Sequence, residues 1–344
     1  MKDACQKDIL RVAVIGCGKI TATRHAPEYA ACGQAEIVGF FDAVEGRGRD
    51  MAATHGGRAF SSVDEILSSP DVDAISVCTA NVTHADITVA ALKAGKHVLC
   101  EKPMAITLDE CLCMIEAARE SGKRLMIAHN QRLIPLHVAA RARLRDGAIG
   151  RPISFKTTFG HSGPDNWSVD PGTGNWFFDR AKTPFGAVAD LGIHKIDLIR
   201  YLLDSEIGEV EAMLGTLDKR DAAGRPVAVD DNALILCRME NGMLGTVSAS
   251  WTYYSGEDNS TVIYGSEGSM HLLPGADTLT IRTRDGKETV EIIPPKATTG
   301  VIDCFVSAVL SGTPSTLDAE AILPSMQAML AAVQASESGK RAIL

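Results

Sequence analysis

At 344 residues the chain is longer than one typical hydrophobic core, so two domains are expected. Its composition, 45% hydrophobic and 22% charged, is globular, and a formal net charge of −9 argues against nucleic acid or an anionic membrane as partner. No apolar run approaches membrane-spanning length, and Met1-Lys2-Asp3 leads into the strand at 11–15 without room for a signal peptide, so a cytoplasmic protein is expected.

Nine cysteines are scattered without a Cys-x-x-Cys pair, so neither a disulfide framework nor a metal site is expected. Residues 11–15 read as a buried strand. Gly16-Cys17-Gly18-Lys19-Ile20-Thr21 follows and opens a helix through Ala31. The first glycine permits a tight turn. The second lets a pyrophosphate approach the free N–H groups of a helix N-terminus. Thr21 stands where a third glycine is usual, and looser helix–strand packing is expected there. The second strand, 36–41, ends at Asp42. A carboxylate there accepts from ribose hydroxyls and repels a 2′-phosphate. Arg47 and Arg49 follow as alternative phosphate partners, but NAD is expected rather than NADP.

Strands and helices then alternate. Helix Val63–Ser68 leads to strand 73–78 and to Thr79, Asn81 and His84. Helix 86–94 leads to strand 97–102. Helix 108–121 leads to strand 124–128, with Asn130 and Arg132 beyond it. This grammar predicts a parallel sheet with right-handed crossovers. Thr79, Asn81, Lys102, Asn130 and Arg132 all fall at carboxyl ends of strands, where open α/β sheets bind ligands. In His97-Val98-Leu99-Cys100-Glu101-Lys102-Pro103 the proline ends the ladder and holds Lys102 extended. Lys102 is therefore a candidate for chemistry.

Beyond a helix at 136–146 the pattern changes. Strand-like segments at 153–159, 210–217, 233–239, 244–251, 261–264, 269–273, 278–284 and 288–293 are joined by Asn241-Gly242, Glu267-Gly268 and Asp285-Gly286 turns. The fold class is α/β, with domains at 1–130 and 131–344, the second an α+β unit around a large, mostly antiparallel sheet. Alternation at Val247, Ala249 and Trp251 places helices on one sheet face. The other face is a candidate oligomer interface.

Two segments interrupt the strands. The loop at 161–183 carries Trp167 and Trp176, and two readings of it stand. Its aromatics wall a sugar site, or they pin the loop to the protein. The second segment, 185–203, has the pattern of a buried helix. At a period of 3.6, Asp190, His194, Asp197 and Tyr201 form one polar stripe, expected to line a cleft.

These residues resemble the glucose–fructose oxidoreductase/inositol dehydrogenase (Gfo/Idh/MocA) family along essentially the whole chain. The resemblance rests on the fingerprint at 16–21, Glu101-Lys102-Pro103, Asp190-x-Gly192-x-His194, and the ending Ser336-Glu337-Ser338-Gly339-Lys340. It implies an N-terminal Rossmann domain and NAD(P)-dependent oxidation of a secondary alcohol on a sugar, glycoside or cyclitol. It implies that Lys102, Asp190 and His194 are catalytic: His194 as general base, Lys102 on the same substrate oxygen, Asp190 orienting hydroxyls. Gly16, Gly18, Lys19, Ile20, Asp42, Thr79, Asn81, His84, Glu101 and Lys102 are expected beside the cofactor. Lys102, Asn130, Arg132, Trp167, Trp176, Asp190 and His194 are expected beside the substrate. No metal is expected; a homodimer or homotetramer is. Two alternatives use the same fold: an NAD-recycling glycosidase or epimerase acting through a keto-sugar, and a sugar-sensing regulatory protein.

Overall fold

The computed structural model describes residues 9–344. They form two compact units: the chain up to Ala128 with Thr298–Ala321, and His129–Ala297 with Ile322–Leu344.

The first unit starts with β1 (Leu10–Ile15), a π-helical turn at Thr21–His25 and α1 (Ala26–Ala31). Next come β2 (Ala35–Phe41), α2 (Arg47–His55), β3 (Arg58–Ala59) and α3 (Val63–Ser68). Three more strands, β4 (Ala74–Val77), β5 (His97–Cys100) and β6 (Leu125–Ile127), alternate with α4 (His84–Lys93) and α5 (Leu108–Ser121). Strand order is β3-β2-β1-β4-β5-β6, and every pair is parallel. This is the doubly wound dinucleotide-binding order, which reverses direction between β1 and β4. Those strands are nearly all apolar because both sheet faces are covered.

Residues 298–321, expected from sequence in the second domain, pack with this first unit. The Ile127 N–H donates to the Leu317 carbonyl at 2.9 Å, and Arg124 pairs with Asp318 at 2.7 Å. Glu28 accepts from both the N–H and the hydroxyl of Thr299, each at 2.8 Å. These partners are far apart in sequence, so no local pattern announces them.

The second unit contains α6 (Pro135–Arg145), β7 (Pro152–Gly160), a π-helical turn at Val188–Gly192 and α7 (Ile193–Leu203). Its strands β8 (Ile207–Gly215), β9 (Asn232–Met239), β10 (Leu244–Ser250), β11 (Thr261–Gly265), β12 (Gly268–Leu273), β13 (Thr278–Thr283), β14 (Glu288–Ile292) and β15 (Ala342–Ile343) join β7 in one nine-stranded sheet. Only β7 and β10 pair in parallel. Phe155, Ile235, Cys237, Val247, Ala249, Ile263 and Met270 are buried on one face. Alternate residues on β8 and β9 leave Met213, Leu234 and Leu236 more than half exposed on the other.

Thr21 corrects the expectation of loose packing at the fingerprint. The residue is fully buried, and its hydroxyl donates to the Gly16 carbonyl at 2.6 Å. The helix widens into a π-helical turn beginning at Thr21, so a β-branched side chain sits where a glycine is usual. Replacing Thr21 with valine keeps the shape and strands that carbonyl, which should cost about 1–3 kcal/mol in urea unfolding. Thr21→Ser, which keeps the hydroxyl, should cost less.

Candidate active site

The first unit builds a cradle at the carboxyl ends of β1 and β4. Gly16 has φ +96°, and a Cβ on it would lie 2.4 Å from the Cys78 carbonyl oxygen. Only glycine fits there. A Cβ on Gly18 would meet nothing within 4 Å. The turn thus offers bare backbone to open space at the position where the fingerprint places a pyrophosphate, so these residues fit a dinucleotide. Asp42 is fixed against the same turn. Its Oδ2 accepts from the Cys17 N–H at 2.6 Å and its Oδ1 from the Val44 N–H at 2.7 Å. Each carboxylate oxygen keeps a second lone pair for a ribose hydroxyl.

The next strand ends are braced together. His84 is buried, with Nδ1 2.8 Å from the Pro103 carbonyl and Nε2 3.1 Å from that of Thr79. Its ring lies between the exits of β4 and β5; burial lowers its pKa, and the neutral ring has one N–H to donate to one of these carbonyls. The Thr83 hydroxyl reaches Thr79 Oγ1 at 2.8 Å, beside Asn81. After β5, Glu101 is bonded to His25 at 2.9 Å and accepts the Lys102 N–H at 3.2 Å. The Lys102–Pro103 peptide is cis. His25 is absent from the sequence-derived set, because it lies 76 residues before its partner.

The second unit carries the Asp190-x-Gly192-x-His194 element. Asp190 lies in the π-helical turn and His194 in the first turn of α7, each 7% exposed. The Trp251 indole N–H donates to Asp190 Oδ2 at 3.0 Å. Phe159 and His129 stand 5.8 and 6.1 Å from the His194 ring. The helix start is capped by Asp230, which accepts from the N–H groups of Gly186 at 2.7 Å and Val188 at 2.8 Å. Burial pushes the Asp230 carboxyl up to about 6, against the pull of those bonds. Asp230 also escapes a sequence reading, since it lies 44 residues from the turn it caps.

Further along the stripe the expected cleft gives way to an internal ion pair. Asp197 has no exposed surface; Arg132 Nε and Nη2 donate to its two oxygens at 2.7 and 2.6 Å. The Ser325 hydroxyl adds a bond at 2.7 Å, and His129 Nδ1 lies 3.5 Å away. Burial opposes the charge, but His129 and Arg132 outweigh it and hold Asp197 well below the ordinary carboxylate range. Arg132, expected at the substrate, is thus bonded to Asp197. Tyr201 lies under the Arg141 guanidinium, 4.2 Å from its ring centre. Asn130 is half-buried, and its Oδ1 has no partner among the described residues.

The loop tryptophans join one aromatic chain. Trp176 stacks on Phe177 at 3.9 Å, and Trp167 meets Phe177 edge-on at 5.3 Å. Phe177 and Phe178 reach Trp251, the residue that holds Asp190. The loop is pinned by its own rings and is continuous with the catalytic candidate.

Comparison with known proteins rests on both units. Residues 10–129 match the model described as oxidoreductase family, NAD-binding Rossmann fold, and residues 137–271 match the GFO/IDH/MocA C-terminal domain. The 1,5-anhydro-D-fructose reductase of Ensifer adhaerens is 30% identical over 314 residues, 89% of this chain and 90% of the relative. The chain belongs to the Gfo/Idh/MocA family. Another member, the myo-inositol 2-dehydrogenase of Thermotoga maritima, is 30% identical over 262 residues, covering 76% and 74% of the two chains. A levoglucosan dehydrogenase solved with NADH and levoglucosan superposes with a TM-score of 0.87 at 25% identity, over 98% of this chain and 99% of that one. As a Gfo/Idh/MocA protein, the chain is an NAD-dependent oxidoreductase.

Two substitutions probe the two units separately. Arg132→Met takes away the two-pronged guanidinium and leaves the buried Asp197 carboxylate with Ser325 and the more distant His129 and Arg200, and should destabilise by about 3 kcal/mol in urea unfolding. Arg132→Lys should recover only part of this, because an ammonium does not make the two-pronged contact. If Asp42 is the ribose acceptor, Asp42→Ala should lower NAD affinity about tenfold while NADP affinity changes less. Fluorescence titration of both nucleotides checks this.

Proposed function

We propose that this protein oxidises a secondary alcohol on a sugar, glycoside or cyclitol, reversibly and with NAD. The observation that carries this reading is the Asp190–His194 pair, nearly buried on a π-bulged helix start, in a family whose named relatives act on such polyols. Gly16, Gly18 and Asp42 would hold the dinucleotide. Bound NAD supplies hydride-accepting chemistry. His194 takes the hydroxyl proton as general base. Lys102 hydrogen-bonds the same oxygen and steadies the negative charge that develops on it. Asp190, oriented by Trp251, holds neighbouring hydroxyls. Asn130 offers a further acceptor, and Trp167 and Trp176 are read as a flank of the sugar site.

We also read the bare apolar sheet face at Met213, Leu234 and Leu236 as a homo-oligomer contact, and the protein as cytoplasmic. Among the described residues, no helix is long and apolar enough to cross a membrane.

The test is NADH formation, followed by absorbance, with D-glucose, levoglucosan and myo-inositol. Lys102→Met and His194→Ala should each lower kcat by roughly 10²–10⁴ while leaving NAD binding intact. Full activity in either variant would remove that residue from the mechanism. Turnover without accumulating NADH would favour the cofactor-recycling alternative. Ligand binding without turnover would favour the sensor.

A further inference from the structure

His25 is 3% exposed, and none of the roles assigned above uses it. It is the last residue of the π-helical turn that begins at Thr21, so its backbone belongs to the helix opened by the glycine turn. Its ring points across the sheet. Nε2 lies 2.9 Å from Glu101 Oε1 and Nδ1 lies 3.3 Å from Ser76 Oγ on β4. Ser76 in turn shares a 2.8 Å hydrogen bond with the Tyr29 hydroxyl on α1. Glu101 is the residue before Lys102, and its second oxygen accepts the Lys102 N–H. The Glu101 N–H itself continues the ladder, donating to the Val77 carbonyl at 2.9 Å. The strand end carrying Lys102 is therefore gripped from two sides, by β4 through the backbone and by the fingerprint helix through a buried side chain.

We propose that His25 is a positioning residue for Lys102: by holding Glu101, it locks the strand end that carries the lysine to the helix that opens at the dinucleotide turn. The inference rests on the reading of Lys102 given above. The surroundings of the ring favour its charged form. Burial works against the charge, but the Cys78 thiol and the Glu101 carboxylate, both against the ring, raise the His25 pKa well above the ordinary imidazole range. Glu101 is held low in return: burial opposes its charge, and His25, Lys102 and Arg24 more than offset that. Ser76 and Tyr29 also face the ring. An imidazolium donates from both nitrogens, and both have an acceptor here. A charged pair of this kind is directional and hard to rotate, which suits a group that must hold a neighbour in register.

The decisive variant is His25→Gln, a neutral side chain of similar reach. With the fastest-oxidised of D-glucose, levoglucosan and myo-inositol as probe, kcat should fall about 10²-fold, the cost of a small misplacement at the reacting centre, with little change in NAD affinity. In a Lys102→Met background the same change should cost almost nothing further, because the group it positions is already gone. A purely structural histidine would cost the same in both backgrounds, which would overturn the proposal. If Lys102→Met is itself fully active, the reading of Lys102 falls. If Lys102→Met is crippled while His25→Gln keeps full kcat, only the role of His25 falls. Nitrogen NMR of the histidine rings gives a readout independent of turnover. His25 Nε2 should carry a hydrogen-bonded proton at neutral pH, and Glu101→Gln should weaken that bond. A His25 ring with no proton on Nε2 in the unaltered protein would overturn the proposal even if His25→Gln fails to fold.

Discussion

A helix buried on every side must find a partner inside the protein for each polar atom it carries. From Val188 to Arg200 every residue of the second unit's central helix is buried, yet the stretch contains Asp190, His194, Lys195, Asp197 and Arg200. The structure meets this constraint group by group. Asp197 takes a two-pronged guanidinium and a hydroxyl. Lys195 donates to the Asn259 carbonyl at 2.9 Å, and burial depresses its pKa to about 7. Asp190 takes an indole N–H, and the helix start takes the Asp230 carboxylate. Unpaired, any one of these would cost several kcal/mol, so the helix is fixed in register and rotation by its polar residues as much as by its apolar ones.

The first unit solves a different problem. It must leave backbone N–H groups unshielded at one point and hold everything near that point still. Gly18 provides the opening, and the neighbours provide the stillness. Thr21 closes the turn from behind, and Asp42 pins it from the side. His84 sits between two strand ends, with a carbonyl of each within hydrogen-bonding distance of its ring. These are side-chain bonds to backbone, which suit a rigid scaffold because the backbone has few ways to move.

Much of this was legible in the sequence, for reasons that differ by element. The parallel sheet showed as continuous apolar runs, because strands covered on both faces carry no alternation. The hairpins showed because Gly242 and Gly286 adopt positive φ that few other residues accept. Asp42 could be placed because it follows directly on β2, and Lys102 because it lies two residues past the end of β5. What stayed hidden was non-local or aperiodic. Arg132 meets Asp197 across 65 residues, and Glu101 meets His25 across 76. The π-helical turns at Thr21 and Val188 leave no mark on a hydrophobic pattern read at 3.6 residues per turn. A polar stripe on a buried helix has two physical outcomes, a cleft or an internal partner. For Asp197 the partner came from a loop whose arginine, read alone, looked free for substrate.

The double grip on Asp42 has a consequence for how nucleotide preference is able to change. The carboxylate proposed to meet the ribose is also the staple between the glycine turn and the end of the second strand. On that reading, selectivity and loop rigidity reside in the same two oxygens. A basic residue at that position would welcome a 2′-phosphate but would leave the Cys17 and Val44 N–H groups without their acceptor. The acceptor is set before any nucleotide arrives, so binding spends little on ordering it. The same economy makes the site resistant to drift: a lineage or a designer seeking the phosphorylated cofactor must supply a second anchor for the turn at the same time as the new charge.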